Sequence, residues 1–431
     1  MTKNRRIAIV TGHFPPSNLA GVHRARLWSK YLPEFNWEPI VVTTHWNYYE
    51  EAIDSELFEL VSPGIRVIRT PALPIGPLRI IGDIGLRALY WHFKVLDGLI
   101  RRNEIDFIHI TIPSNYLAVL GEMLYSRHRF PFGVDYQDPW VVDDAPNTGK
   151  PLSKAWLSQR VARALEPWAL KHAALITGVA PLYYEGVFKR NPQLRGRCVA
   201  AAMPIGNSED DYQAVTNCSP KTILFSDRDG LFHLVYAGTM WPPAHPVLKR
   251  FFEALTMLRD KNSEVIQRLR VHFIGTGKSP TCPEGQIRPY IERFGLRAWV
   301  DEQPLRIGYL DVLYHLMHSS AVLIIGSTAP HYSPSKIYQA VQSKRPVFAI
   351  LHEQSSAVEV LRETQAGCVV TITEETLPTP EELASTLAEF VRDPQYDAGL
   401  VRWNALELYS ARESARSLAS AVEFALQRET A

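Results

Sequence analysis

The residues able to do chemistry fall in a few short stretches. One is TGHFPPSNLAGVHR at 11–24, which leaves an apolar run and enters a helical segment through Ala20 and Gly21, with Arg24 one turn on. Amide N–H groups left unpaired at a helix start can face an anion. The stretch is neither a G-x-G-x-x-G nor a lysine-bearing phosphate loop, so it reads either as a binding loop or as a structural connection. A second stretch is SPSKIYQAVQSKRPVFAI at 333–350, a proline-bounded loop that opens a helix and then a buried strand. Ser335 is a candidate N-cap there, and Lys336 enters the first turn, where a cation and free amides act on the same diphosphate. Asp138, in QDPW, follows a strand end and reads either as a hydrogen-bonding group for an acceptor or as a helix cap. His109 lies in an alternating strand, as a packed core histidine or a catalyst.

Metal and nucleophile chemistry leaves little trace. The one D-x-D triplet, Asp227-Arg228-Asp229, reads as solvated charge, and the 14 histidines form no H-x-x-x-H or H-E-x-x-H pair. Cys198, Cys218, Cys282 and Cys368 form no C-x-x-C pair and are expected to be buried or inert thiols, which points to the cytoplasm. Neither a metal nor a cofactor is expected.

Positioning such residues requires strands and helices in alternation. Strand candidates in the first half are 6–10, 39–44, 65–70, 106–111, 132–137 and 174–179, each a short apolar run bounded by turn residues. A second series follows at 232–238, 270–275, 321–326, 346–350 and 368–372, alternating with helical segments at 247–260, 285–294, 309–319, 335–344 and 355–364. The first half has helices at 22–32 and at 152–172, where Trp156, Val161, Leu165, Trp168 and Leu170 suggest an apolar stripe. The pattern predicts two doubly wound α/β domains with a cleft between them, and ligands in such sheets bind beyond the carboxyl ends of the strands. The boundaries expected are a first domain at 1–205, a linker at 206–230, a second domain at 231–395 and helices at 396–431 that close the second domain or cross back over the first.

Length and charge bound the rest. A chain of 431 residues exceeds what one hydrophobic core organises, and 46 basic against 45 acidic residues give a net charge of +1, which argues against a nucleic-acid partner. The apolar run after Arg5-Arg6 is too short for a secretory signal, and no run is long enough to span a bilayer. Segment 71–102 mixes Leu, Ile, Trp, Tyr and Phe with Arg79, Arg87, Lys94, Arg101 and Arg102. It reads either as a helix lying on anionic lipid or as a crossover helix with a wet basic face.

In order and spacing, several of these pieces resemble the GT-B glycosyltransferases, in particular the retaining nucleotide-sugar transferases of family four. The pieces are FPPSNLAG, DFIHITIP, DYQDPW, ALITGVAPLYYEGV, PIGNSEDDYQ, LVYAGTM, HFIGTGK and SPSKIYQAVQSKRPVFAI. The resemblance implies a GT-B fold, with the second domain holding a nucleotide diphosphate sugar and the first presenting the acceptor. It aligns the family's glycine-containing first loop with Ala20 and Gly21, its donor-domain turns with Gly238-Thr239 and Gly275-Thr276-Gly277, and its two signature glutamates with His331 and Gln339. The family's frequent strand-four histidine falls on Thr111. The Arg and Lys expected after the first donor-domain strand are absent, since only Lys249 and Arg250 follow.

What the resemblance implies is retaining, metal-independent transfer of a sugar to a cell-surface glycan or lipid-linked acceptor, in polysaccharide biosynthesis. The expected location is the cytoplasm, with peripheral contact at the inner face of the membrane through 71–102. The alternatives are a catalytically silent GT-B-like subunit, suggested by the loss of both glutamates, and a sugar-nucleotide epimerase.

Overall fold

The structure is a computed structural model that describes residues 4–75, 82–112, 114–141, 153–261, 263–277, 284–329, 332 and 334–430. The chain divides into two compact units: Met1–Gly206 together with Ala411–Ala431, and Asn207–Ser410.

The first unit is built on seven strands: β1 (Arg5–Thr11), β2 (Trp37–Thr44), β3 (Arg66–Thr70), β4 (Phe107–Ile112), β5 (Phe132–Tyr136), β6 (Leu175–Gly178) and β7 (Val199–Ala202). They form one parallel sheet in the order β3-β2-β1-β4-β5-β6-β7. β4, β5 and β6 are buried along their whole length, because crossover helices cover both faces of a parallel sheet. The last helix, Ala411–Thr430, belongs to this unit. Ala415, Leu418, Val422 and Ala425 pack with Trp28, Leu32 and Trp37, and Trp28 Nε1 donates to Ser414 Oγ at 3.0 Å. The tail expected at 396–431 is divided: Ala411–Ala431 returns to the first unit, whereas 396–410, with the helix Trp403–Glu407, stays with the second.

The second unit holds β8 (Phe232–Ala237), β9 (Leu269–Ile274), β10 (Val300–Gln303), β11 (Ala321–Ile325), β12 (Val347–His352) and β13 (Gly367–Ile372). Their order is β10-β9-β8-β11-β12-β13, again parallel. Phe251, Phe252, Phe273 and Phe348 anchor its core, against the helices His245–Asp260 and Pro380–Arg392. In both sheets the order reverses beside the first strand of the unit, so the loops leaving that strand and its neighbour border a switch point where doubly wound sheets bind ligands.

Three features differ from the sequence-based expectation. The stretch 206–230 is not a bare linker: it contains the helix Glu209–Asn217, whose Asp211, Tyr212 and Val215 are buried in the second unit. Three acidic residues in the first turn suit the helix dipole, but nine residues with few apolar side chains carry almost no periodic signal. In segment 71–102, of which 76–81 including Arg79 lie outside the described residues, the helix Ile84–Arg101 buries Ile84, Ala88, His92, Leu96 and Leu99. Arg87 is buried too and donates to the carbonyls of Leu73 and Tyr48 at 2.9 and 3.0 Å, so its charge does not reach the surface. Finally, the helix Lys154–Ala169 buries Ala162, Glu166 and Ala169, whereas Trp168 faces solvent.

No helix among the described residues is long and apolar enough to cross a membrane.

Candidate functional site

In the second unit, two cations converge on the turn that leaves β8. Gly238 adopts φ +143°, a conformation that side-chain-bearing residues avoid. The space a Cβ would take is filled by a lysine: an ideal Cβ on Gly238 would lie 2.8 Å from Lys336 Cε and 3.7 Å from its Nζ. Lys336 starts the helix Lys336–Gln342 and makes no ion pair with a carboxylate among the described residues. Desolvation, and secondarily the like charge of Arg306, push its amine down to about 8. Part of its surface stays open, so the ammonium is crowded but not sealed from water.

Arg306 leaves β10 and points its Nη2 at Thr239 Oγ1, 3.5 Å away. Next to it, Gly275 takes φ +70° at the end of β9, with Arg306 Cγ lying 3.9 Å from where its Cβ would be. The turn is tied down by Gly238 N–H to Ile274 O at 2.8 Å, Gly275 N–H to Gln303 O at 2.7 Å and Gly277 N–H to Pro304 O at 3.0 Å. Glu302 accepts from Ile287 and Arg288 amides at 2.9 and 2.7 Å and from the Thr276 hydroxyl, so its carboxylate organises the loops. Two like charges are thus drawn together over two glycine-containing turns at the carboxyl end of the sheet, concentrating positive potential there.

Gly238→Ala is therefore expected to cost about 1–3 kcal/mol through backbone strain and, in addition, to displace Lys336. Thermal unfolding reads the first effect and anion affinity the second.

One helical turn beyond Lys336, Gln339 is half-buried. Its Nε2 donates to Tyr309 Oη at 3.3 Å, and Tyr309 donates to the buried Asp211 at 2.9 Å. The Gln339 carbonyl accepts from Tyr212 Oη. With Nε2 on Tyr309, the amide oxygen of Gln339 is its remaining acceptor. Ser335 occupies the N-cap position, yet its hydroxyl makes no capping hydrogen bond. His331 lies outside the described residues.

Lys249 and Arg250 are not part of this arrangement, because both pair with Glu253 on their own helix, at 3.3 and 3.0 Å. Nor is the Asp227–Asp229 triplet simply solvated. Asp227 pairs with His318 at 2.7 Å and Asp229 with His233 at 3.0 Å. No group of three or more His, Cys, Asp or Glu is placed to hold a metal ion among the described residues. Cys198 is buried, which pushes its thiol up to about 12; Cys218 and Cys368 are half-buried and free, and Cys282 lies outside the described residues.

The first-unit candidates do not gather at one surface. Arg24, expected at the phosphate loop, is fully buried: its guanidinium makes a bidentate pair with Asp135, both bonds 2.7 Å, donates to Met203 O at 2.9 Å and lies 4.2 Å from the Trp28 ring centroid. An Arg three residues into a helix that packs inward on the sheet has no path to solvent, and this corrects its placement at the loop. Ala20 is exposed, and Gly21 takes an ordinary right-handed conformation, φ −62°, at the helix start. His109 and Thr111 are fully buried on β4. His109 Nε2 meets Thr177 Oγ1 at 3.2 Å and burial pushes its imidazole down to about 4, while Thr111 donates to Val10 O at 3.3 Å. Both pack the sheet. Asp138 is exposed, and desolvation pushes its carboxyl up to about 6; the shift reflects crowding by surrounding protein and not a sealed pocket.

Arg306 escaped the sequence reading because it follows a strand that the reading missed. Its only signal was a lone Arg in QPLRIG beyond a glycine turn.

No protein-family model and no curated protein matches the sequence. Solved structures are similar to it over nearly their whole length. HepE of Anabaena in complex with UDP is 14% identical, covers 97% of this chain and 99% of its own, and gives a TM-score of 0.60. Sucrose-phosphate synthase from Thermosynechococcus elongatus is 16% identical, with 99% and 98% covered and a TM-score of 0.58. The S. aureus MnaA-UDP co-structure is 15% identical, with 99% and 98% covered and a TM-score of 0.51. At such identities the likeness is one of fold: the chain has the GT-B fold of two doubly wound Rossmann-like units.

Proposed function

We propose that the second unit binds a nucleoside diphosphate sugar and that the protein transfers the sugar, with retention and without a metal, to a glycan or lipid-linked acceptor. The observation that carries this reading is the convergence of Lys336 and Arg306 on the Gly238-Thr239 turn, at the carboxyl end of a doubly wound sheet. A leaving diphosphate gains negative charge as its bond to the sugar breaks, and two fixed cations stabilise that charge most where it develops. The same geometry lets the chain's own residues do what a bound metal would otherwise do for the leaving group. Gln339, with Tyr309 fixing its amide, presents an acceptor to the ribose hydroxyls. Asp138 hydrogen-bonds the acceptor. The neighbours' titles support the donor class, since HepE was solved with UDP and with UDP-glucose and MnaA with UDP.

The test is calorimetric titration with UDP, GDP and dTDP in chelator, followed by incubation of the matching sugar nucleotide with acceptor pools. One nucleotide is expected to bind, and its release from the sugar nucleotide should survive chelation; binding of none would overturn the reading. A silent subunit, favoured by an amide where the family carries a carboxylate, would bind the nucleotide and release none.

The pH dependence is fixed by Lys336. Its free amine lies at about 8, and only the protonated form attracts a diphosphate. Affinity is therefore complete at neutral pH and falls as pH rises through 8, by up to about tenfold per pH unit for one linked proton. Titrations from pH 7 to 9.5 should show that fall, and Lys336→Arg, whose guanidinium stays charged, should remove it.

A further inference from the structure

The helix Lys154–Ala169 turns an apolar and basic face to solvent. Ala162, Glu166 and Ala169 form its buried side. At 3.6 residues per turn, Leu157, Val161, Ala164 and Trp168 fall together on the opposite side. Leu157 is 57% exposed and Trp168 44%. Lys154, Arg160 and Lys171, all exposed, border this face, and none of the three pairs with a carboxylate among the described residues. Arg160 instead lies 4.8 Å from the Trp156 ring centroid. The helix's one carboxylate, Glu166, is fully buried and accepts from Arg190 at 2.8 and 2.9 Å, so it offsets nothing at the surface.

The helix Ile84–Arg101, in the segment expected to meet lipid, is differently built. Arg87 is buried, Arg101 pairs with Asp97 at 3.1 Å, Arg102 pairs with Glu104, and only Lys94 stands clear, over the ring of Tyr90. Its surface carries both signs of charge. The helix Lys154–Ala169 carries one sign, together with exposed Trp and Leu. An interfacial helix needs this pairing, since apolar insertion and charge attraction are each weak alone.

We propose that the helix Lys154–Ala169 docks the protein on an anionic bilayer, with Leu157 and Trp168 entering the headgroup region and Lys154, Arg160 and Lys171 facing lipid phosphates. This inference is independent of the donor site. Charge complementarity selects an anionic surface, and the exposed Trp between cations selects a bilayer over a folded acidic partner, because indole favours the membrane interface.

The experiment is flotation of the full chain with phosphatidylcholine vesicles, with and without phosphatidylglycerol, at low and high salt. Binding is expected only with phosphatidylglycerol and should weaken as salt rises. With about fivefold contributed per cation near such a surface, Arg160→Glu with Lys171→Glu should lower partitioning at least ~25-fold. Leu157→Ala with Trp168→Ala should lower it with no change in salt dependence, and Tyr90→Ala with Lys94→Glu should leave it unchanged. Should the charge-reversed variant fail to fold, the alanine pair and the salt series still decide. Equal binding to neutral vesicles, indifference to the Leu157 and Trp168 changes, or a loss that follows Tyr90 and Lys94 would overturn the proposal. So would equally tight binding of duplex DNA that the alanine pair leaves intact, which would mark a general polyanion surface.

Discussion

Replacing Lys336 by alanine is expected to weaken binding of the preferred nucleoside diphosphate by about 1.5–3 kcal/mol, roughly ten- to a hundredfold, the worth of a hydrogen bond to a charged group. Arg306→Ala should cost a similar amount, since its guanidinium approaches the same turn at Thr239. The two effects should not simply add. Desolvation and, secondarily, Arg306 lower the Lys336 amine, so Arg306→Ala leaves Lys336 more fully protonated and regains part of what it loses. In a double-mutant cycle by calorimetry, the doubly substituted protein has no Lys336 left to compensate and should therefore lose more than the sum. Unchanged affinity in both single variants would mean that the diphosphate is not held at the Gly238 turn. A loss confined to Arg306→Ala would leave Lys336 as a packing residue over a glycine.

What the sequence made legible follows from burial. The central strands β1, β4, β5, β8, β11 and β12 are short, mostly apolar runs covered on both faces, and their expected bounds agree with the structure to within a residue or two. The two strands without a sequence signal, β7 with VAAA and β10 with VDEQ, lie at sheet edges. An edge strand is half solvated, so it needs no hydrophobic run, and nothing in its pattern separates it from a loop. That omission carried over to the site. Without a strand signal at β10, nothing in the sequence marks Arg306 as lying beside the Gly238 turn, and the only cations that follow β8 closely, Lys249 and Arg250, pair with Glu253. Arg24 failed for the opposite reason. Its position in the loop-to-helix turn was clear, but partner choice is a tertiary fact, and Asp135 lies 111 residues away. The exposed side of the helix Lys154–Ala169 was hidden by the same ambiguity, because large apolar residues on a helix are ordinarily its core face.

The buried pair that Arg24 forms sets the second large expectation. Arg24 and Asp135 are both 0% exposed, bridging the helix Val22–Tyr31 to β5, and Thr177 on β6 donates to the same carboxylate at 2.7 Å. With Nε and Nη2 on the two oxygens of Asp135 and Nη1 on Met203 O, each guanidinium nitrogen makes a hydrogen bond. Removing one member leaves the other charged and unsolvated, which costs about 3–5 kcal/mol, more than a fully buried methyl-bearing side chain loses on truncation by one carbon. Arg24→Ala and Asp135→Asn are each expected to lower the unfolding free energy of the first unit by that amount, read from its denaturant transition. Arg24→Lys should recover little, because a single ammonium cannot reproduce the fork on both oxygens. An apolar replacement of the pair, Arg24→Met with Asp135→Leu, should be less destabilised than either single variant, since it removes the desolvation penalty along with the attraction. Nucleotide affinity in the second unit should be unchanged in all four variants at temperatures where they are folded. This separates a scaffold role from a phosphate-binding role: an Arg24 variant that kept its stability and lost nucleotide binding would return this residue to the ligand.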